Sequence, residues 1–247
     1  MLRSVKSLYG FKITAEGSEI GKVHEFLFDD EAWITRYLVV DTGGWLPGKK
    51  ILIPPVVFGQ PDWRTREFPI NLKKKQLEAF PGIDENKPVS RQHQIDLFRH
   101  YGWPPYFPLA GYYGVPPPPH PASTEKGLET SASEDEGDPH LRSTREVIGY
   151  HISATDGDIG HAEDLILNDD MWSVGYLIVD TKNWLPGRKV LVSPQWIKDI
   201  SWDIRKISVD LDREMIKKSP EYNPSAPVNR EYEEVLYDYY GRPHYWR

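Results

Sequence analysis

The sequence predicts a mainly β protein in which one small antiparallel β-barrel with short C-terminal helices occurs twice in tandem. The chain matches itself without a gap from Gly10 to Phe107 when it is shifted by 139 residues. Looking for such a period first decides the domain organisation. We call residues 10–107 repeat 1 and residues 149–246 repeat 2. The predicted domains are 1–107 and 146–247, joined by a Pro-, Ser- and acid-rich linker over 108–145, whose composition cannot form a packed core.

Two segments carry the repeat most clearly. AWITRYLVVDT at 32–42 aligns with MWSVGYLIVDT at 171–181, and WLPGKK at 45–50 aligns with WLPGRK at 184–189. The same pattern of apolar and turn-forming residues should build the same shape twice. We therefore expect two barrels that pair with pseudo-twofold symmetry, each covering apolar surface on the other.

Short apolar runs bounded by turn residues predict the strands of repeat 1. They are Phe11–Thr14, Ile20–Phe28, Trp33–Asp41, Lys50–Ile53 and Thr65–Ile70. The run Tyr37–Val40 is apolar at every position, so both of its faces should be covered. One face fills the barrel, and the other meets a helix, the other repeat or a partner.

Turn and capping residues mark the remaining elements. Pro47-Gly48 predicts a type II turn, because glycine tolerates the positive φ of its third position. Helices are predicted over 72–80 and 90–101, the second capped by Ser90 in repeat 1 and by Asn229 in repeat 2, and ended by Gly102 in repeat 1. Strands that curl on themselves ahead of these helices favour a small barrel.

Composition excludes several classes of site. The chain has no Cys, which removes disulfides, thiolate zinc sites and cysteine nucleophiles. The net charge is −7, the wrong sign for most nucleic-acid binders. Residues 1–107 carry 15 Lys/Arg and 13 Asp/Glu, whereas residues 146–247 carry 12 and 18, so the two outer faces should meet different surroundings. Without an apolar run of membrane-spanning length, we expect a cytoplasmic protein.

The candidate contact residues lie in the two WLPG turns and the two aromatic tails. An exposed Trp beside two cations can grip an anionic partner or stack on a base. The alternative is that each Trp packs over a barrel end. The tails can likewise bind a partner or a second copy, or cover a barrel. The partner-binding candidates are Trp45, Lys49, Lys50, Trp184, Arg188, Lys189, Trp103, Tyr106, Tyr245 and Trp246.

Catalytic and metal-ligating patterns are weak. Asp41 and Asp180 end equivalent strands, where a carboxylate more often bonds the backbone of the next turn than acts as a base. The eight His residues do not coincide between the repeats and show no metal-ligand spacing. We predict no catalytic residue, no metal and no cofactor.

The strand pair around Ile20-Gly21-Lys22-Val23 and Tyr37–Asp41 resembles the PRC-barrel family, and repeat 2 matches it at 159–162 and 176–180. The resemblance spans about 8–80 and 147–219. The family includes the cytoplasmic β-barrel of the photosynthetic reaction-centre H subunit and a ribosome-maturation factor. The tails over 88–107 and 227–246 resemble those of bacterial tandem PRC-barrel proteins of unassigned role. The resemblance implies a barrel that docks on macromolecules and catalyses nothing.

Three functions follow as hypotheses. The first is a non-enzymatic binding or assembly module for a protein partner, of the kind used in reaction-centre-like or membrane-complex assembly. The second is an RNA- or ribosome-associated factor, which the basic first repeat favours and the overall acidity opposes. The third is an enzyme of unrecognised type. A homodimer through the aromatic tails is a further option.

Overall fold

The computed structural model describes residues 1–46, 48–79, 83, 89, 97, 100, 138–181 and 188–246. Over these residues the chain is mainly β, with two sheets and few helices, as the sequence predicts.

Each predicted strand of repeat 1 is present, within two residues at most of its bounds. The elements up to residue 79 are β1 (Leu2–Ser4), α1 (Val5–Leu8), β2 (Lys12–Ala15), β3 (Ser18–Asp29), β4 (Thr35–Asp41), β5 (Lys50–Ile53), β6 (Glu67–Ile70) and α2 (Lys74–Glu78). Those from residue 138 are β7 (Leu141–Ser143), α3 (Thr144–Val147), β8 (His151–Ala154), β9 (Gly157–Asn168), β10 (Ser173–Asp180), β11 (Lys189–Val192), β12 (Ile197–Ser201), β13 (Lys206–Val209), α4 (Arg213–Lys218) and α5 (Arg230–Tyr240).

The strand orders are β5-β4-β3-β2-β6 in one sheet and β11-β10-β9-β8-β13-β12 in the other. Most neighbours are antiparallel, but β2 with β6 and β8 with β13 are parallel. The expectation of purely antiparallel sheets was therefore wrong at these two pairs. The chain passes through three other strands between β2 and β6, and a connection of that length permits parallel pairing.

The strands that enter the repeats are exchanged. The entry strand β1 precedes repeat 1 but pairs with β9 of repeat 2, and the entry strand β7 precedes repeat 2 but pairs with β3 of repeat 1. Leu2 lies opposite Asn168, and Leu141 lies opposite Asp29, so the two pairings are equivalent under the 139-residue shift. Residues 138–145, predicted as linker, thus contain a strand and the start of α3.

A second contact joins the repeats where β4 and β10 begin. Ile34 bridges Ser173, its own equivalent in repeat 2. The Thr35 N–H donates to the Trp172 carbonyl over 2.8 Å, and the Val174 N–H donates to the Trp33 carbonyl over 2.7 Å. Trp33 and Trp172 have positive φ, at 57° and 52°. A left-handed backbone is unfavourable for a bulky residue, so the surrounding structure must hold both Trp residues in place.

The core runs through both repeats. The Trp172 ring packs among Phe26, Phe58 and Phe68 of repeat 1, with ring centroids 6.1, 4.8 and 5.2 Å away. Buried apolar side chains of the two repeats form one cluster. Because burial of apolar surface is the main favourable term in folding, we expect the repeats to stabilise each other directly.

The apolar strand β4 is buried from Thr35 to Val40, so both of its faces are covered, as predicted. In repeat 2 the covering element on the outer face is α5, whose Glu233 accepts a hydrogen bond from the Tyr176 hydroxyl. Asn229 caps α5 by accepting from the Tyr232 N–H, and Gly241 ends it at φ 61°. The equivalent helix over 90–101 lies outside the described residues except for Leu97 and His100.

Candidate binding groove

The first predicted contact residue, Trp45, lies against its own repeat. It is half-buried and packs on the core. Its indole N–H donates to Glu78 Oε1 over 3.3 Å, and Lys74 Nζ lies 4.9 Å from the ring centroid. The Lys49 N–H closes the predicted turn onto the Leu46 carbonyl, with Gly48 at φ 71°. This geometry matches the packing alternative, in which the WLPG turn closes the end of the barrel.

The cations beside the two turns have different surroundings. Lys49 is exposed, but Lys50 is buried, with its Nζ 2.8 Å from His24 Nε2. At the equivalent place in repeat 2, Lys189 Nζ lies 2.7 Å from Glu163 Oε1. Arg188 donates to the carbonyl of buried Ser219 after α4. Trp184 lies outside the described residues.

The C-terminal tail is held on α5 by a buried carboxylate. Glu233 Oε1 accepts from the hydroxyls of Tyr176 (2.7 Å) and Tyr245 (2.8 Å), and Arg230 Nη1 lies 3.0 Å from Glu233 Oε2. Arg230 also stacks on the Trp246 ring at 4.2 Å. Burial, followed by the Glu233 hydrogen bond, raises the pKa of Tyr245. Tyr245 stays 40% exposed, whereas Trp246 packs on the core. Trp103 and Tyr106 of the first tail lie outside the described residues.

A groove with a cavity volume of about 700 Å³ lies between the two repeats. That is the size range, roughly 300–1,000 Å³, of sites that bind small ligands or peptide side chains. Repeat 1 contributes the turn after β3 and the entry strand, and repeat 2 contributes β9, β10, β12 and α5. Its lining includes Leu2, Glu31, Trp33, Asn168, Met171, Gly175, Lys198, Asp199, Ile200, Tyr237 and Tyr245.

At the groove, repeat 2 has glycine where repeat 1 has the arginine of a buried ion pair. In repeat 1 the Arg36 guanidinium donates to Asp29 over 2.9 Å, and both side chains are less than a tenth exposed. The equivalent residues of repeat 2 are Gly175 and Asn168, and both line the groove. Glycine has no side chain, so the space that Arg36 takes in repeat 1 is left partly to Leu2, whose Cδ2 would lie 3.1 Å from a Cβ at Gly175, and partly to the groove.

The strand beside the groove also differs between the repeats. In repeat 2 the segment 197–201 is β12, at the end of its sheet. In repeat 1 the equivalent segment 58–62 includes Gly59 and Pro61, and it makes only isolated bridges to β6. Proline cannot donate to a ladder and glycine weakens one, so this sequence does not sustain a regular strand. Repeat 2 therefore offers a sheet edge next to the groove, and repeat 1 does not offer the same edge.

Charges at the groove come from both repeats. Asp30 is bonded through Oδ1 to His140 Nδ1 (3.0 Å) and through Oδ2 to Arg142 Nε (3.1 Å). The Asp30 hydrogen bond raises the pKa of His140 above its usual 6.5. Glu31 and Asp199 add exposed carboxylates, against the single ammonium of Lys198 among the lining residues. The rim is therefore mildly acidic.

Among the predicted contact residues within the described part of the chain, Tyr245 alone lines the groove. Trp45, Lys49, Lys50, Arg188 and Lys189 lie elsewhere, and sequence reasoning missed the other groove residues. The signal was present in the alignment of the two repeats, where Arg36 of repeat 1 is aligned with Gly175 of repeat 2. An exchange of a large cation for glycine between otherwise matched strands marks a space that one repeat fills and the other leaves open.

A family model of the PRC-barrel domain matches residues 3–75. The resemblance to the PRC-barrel family is therefore confirmed for residues 3–75. No curated protein matches the chain. In the described residues we find no helix with the length and apolarity that a membrane span requires, and no group of three or more His, Asp or Glu side chains placed to hold a metal ion.

Proposed function

We propose that this chain, whose residues 3–75 are a PRC-barrel domain, is a non-enzymatic module that binds a protein partner in the groove between its two repeats. The observation that carries the proposal is that residues of both repeats build one groove of about 700 Å³. A single repeat could not form this groove, because its lining residues come from both repeats.

The proposal includes an arrangement of the halves. We propose that each sheet curls into a small barrel that stays open between its two end strands, and that a pseudo-twofold axis passes near Ile34 and Ser173. The equivalent registers of β1 on β9 and β7 on β3 support this arrangement. A platform held by exchanged strands keeps the groove walls at a fixed separation, and such preorganisation reduces the cost of binding.

The chemistry of the groove favours binding over catalysis. A general acid or base works best with a pKa near the operating pH. The pKa of Tyr237 and of Tyr245 is raised, mainly by burial, which moves both phenols further from neutrality. Asp30 is occupied by His140 and Arg142. Met171 and Trp33 supply apolar area, and methionine adapts to irregular partner surfaces.

Site-specific photo-crosslinking in the source cell tests the proposal. A photoreactive benzoyl-phenylalanine replaces Met171, which is 43% exposed in the groove. The matched control replaces Val235, which is 58% exposed on α5 and does not line the groove. We expect a discrete protein adduct at position 171 that is absent at position 235, in the cytoplasmic fraction, where we expect the protein to act.

Other outcomes decide between the alternatives. Nuclease-sensitive adducts would replace the proposal with the RNA-associated function, whose binding would weaken steeply with salt. Adducts to a second copy of the chain would indicate a homodimer. Equal labelling at positions 171 and 235 would contradict a groove-specific partner. Recovery of a subunit of a membrane assembly at position 171 would place the module in reaction-centre-like complex assembly.

A further inference from the structure

The groove follows the free edge of β12. Four consecutive residues of this strand, 197–200, line it. Side chains of consecutive residues point to opposite faces of a strand. Lys198 lies in a register shift between Ile197 and Asp199, but Asp199 and Ile200 are both paired in register with β13 and both line the cavity, so the cavity reaches the strand edge. In the described part of the chain, residues 198–201 make their backbone hydrogen bonds to β13 alone. Their outward N–H and C=O groups are thus directed toward the groove.

Such an edge is a template for another strand. Natural sheets protect their edges with proline, glycine bulges or charge, and repeat 1 does so with Gly59 and Pro61. Repeat 2 has Lys198 and Ile200 at these places and forms a continuous strand, whose register on β13 shifts once, between Ile197 and Asp199. The same repeat also lacks the ion pair that fills repeat 1. Two independent differences therefore open the same place.

The space beside the edge suits a large apolar side chain. Leu2 of the entry strand is buried and lies over Gly175, since a Cβ at Gly175 would come within 3.1 Å of Leu2 Cδ2. Trp33, Val174 and Tyr237 are also buried and line the cavity. A buried apolar floor with an aromatic wall is the setting in which an anchor side chain contributes most to affinity.

The acidic rim of the groove favours a partner segment that carries positive charge. Glu31 belongs to the repeat 1 turn and Asp199 to β12, so the two carboxylates lie on lining segments from different repeats. Cationic residues on both sides of an apolar anchor would meet them. Charge complementarity of this kind steers association and sets specificity.

We infer that the groove takes an extended segment of a partner protein, which adds as a strand to β12. It places a large apolar side chain beside Leu2, against Trp33 and Tyr237, and flanks that side chain with Lys or Arg. The inference rests on the proposed function and specifies its partner. β12 has five residues, which at about 3.3 Å per residue pairs with a segment of about five residues. Because repeat 1 carries Pro61 and Arg36 at the equivalent places, we expect one segment bound per chain.

A displayed library of random nine-residue peptides, selected on the full chain, tests the inference. We expect selected peptides to share a central Leu, Ile, Phe or Met with Lys or Arg on either side. Backbone N-methylation of the best peptide at one alternating set of residues should abolish binding, and methylation of the other set should be tolerated, because only one edge of an added strand pairs with β12.

Two variants and a control locate the site. Gly175→Arg restores the residue type of repeat 1 and should weaken peptide binding at least about tenfold by filling the anchor space. Asp199→Lys is an exposed change that leaves the fold intact and should weaken cationic peptides about three- to tenfold. Val235→Ala should leave binding unchanged. Circular dichroism shows that each variant is folded.

Each outcome decides the inference. Loss of affinity in Gly175→Arg and Asp199→Lys, together with the alternating methylation pattern, supports it. Peptides that bind all three variants equally, or that tolerate methylation at every position, overturn it. If no peptide is selected while crosslinking at position 171 still gives a protein adduct, the proposed function stands and strand addition is overturned. If the sole ligand of the groove is a second copy of this chain, detected by sedimentation, the inference is also overturned.

Discussion

Repeat 1 and repeat 2 share a strand order up to the edge beside the groove, and they differ there in a consistent direction. Repeat 1 has the buried Arg36–Asp29 pair and the strand-breaking Pro61. Repeat 2 has Gly175, Asn168 and the continuous strand β12. The residues that the repeats share form the turns and the pairings of the exchanged entry strands. The residues that differ decide whether the space beside position 36 or 175 is filled by a side chain. The framework is thus common to both repeats, whereas the edge that we propose for binding belongs to repeat 2.

The largest expected effect lies in the shared framework. Gly21 and Gly160 both have φ 155°, and an added Cβ would come within 2.3 Å of the Asp41 carbonyl oxygen and within 2.0 Å of the Asp180 carbonyl oxygen. Because backbone atoms cannot move aside cheaply, Gly21→Ala and Gly160→Ala should each lower the free energy of unfolding by about 4 kcal/mol or more. Urea unfolding followed by circular dichroism measures both. Effects that differ greatly between the two would mean that the repeats do not share this backbone.

The second test concerns Trp172, whose ring packs in the core of the other repeat. Trp172→Ala should cost about 3–5 kcal/mol, because its ring fills the core of repeat 1 from repeat 2. Unfolding monitored separately in the two repeats should show one shared transition, shifted as a whole. Val235→Ala, at an exposed position on α5, is the control. Two transitions, with only that of repeat 2 shifted, would contradict the continuous core.

The third test converts one repeat toward the other. Arg36→Ala leaves the Asp29 carboxylate buried without its cation and should cost about 3 kcal/mol, whereas a buried pair replaced as a unit costs less. The double variant Asp29→Asn with Arg36→Gly, which copies repeat 2, should therefore be more stable than Arg36→Ala alone. Asn keeps the oxygen that accepts from the Glu31 and Ala32 N–H groups, as Asn168 does for the equivalent residues. A double variant no more stable than Arg36→Ala would show that the pair is not coupled.

The smallest expected effect is a pH dependence at the entry strand of repeat 2. The Asp30 hydrogen bond raises the pKa of His140, so the folded state favours the protonated ring. This stabilisation is complete below the ordinary pKa of 6.5 and is lost as the pH rises through the raised pKa. The melting temperature of the wild type relative to His140→Gln should therefore fall between about pH 6 and about pH 9. The effect is small because the His140 side chain is half exposed. A melting-temperature difference that does not change with pH would show that His140 does not form the contact with Asp30 in solution.

Local patterns in the sequence predicted the strands well. The bounds of Lys50–Ile53 were right, and the apolar run Tyr37–Val40 indicated two covered faces. The predicted bond from the backbone to Asp41 is confirmed, since Asp41 Oδ1 accepts from the Gly43 N–H over 2.9 Å. These features depend on residues close together in the chain, where periodicity and turn chemistry are informative.

The exchange of entry strands was not predicted, because a three-residue strand has too short a pattern to recognise. A signal did exist: Leu-Arg-Ser occurs at 2–4 and again at 141–143, again 139 residues apart. Extending the repeat to include both segments would have assigned residues 141–143 to the second domain instead of the linker. Even so, the sequence does not state which sheet an entry strand joins, because both sheets offer the same partner pattern.

The groove was missed for a related reason. The candidate contact residues came from features that the repeats share, such as the WLPG turns, whereas the groove depends on residues that differ between the repeats. Trp45 and its neighbours pack within their own repeat, and Gly175 attracts no attention in a single sequence. Differences between internal repeats deserve the same scrutiny as their similarities.

Nuclear Overhauser contacts between backbone protons test the strand exchange most directly, because they report which strands are neighbours in solution. The account predicts cross-peaks between Arg3 and Leu167 and between Arg142 and Phe28, the registered pairs of the entry strands. Cross-peaks between Arg3 and Phe28 and between Arg142 and Leu167 would place each entry strand on its own repeat and contradict the shared platform on which the groove depends.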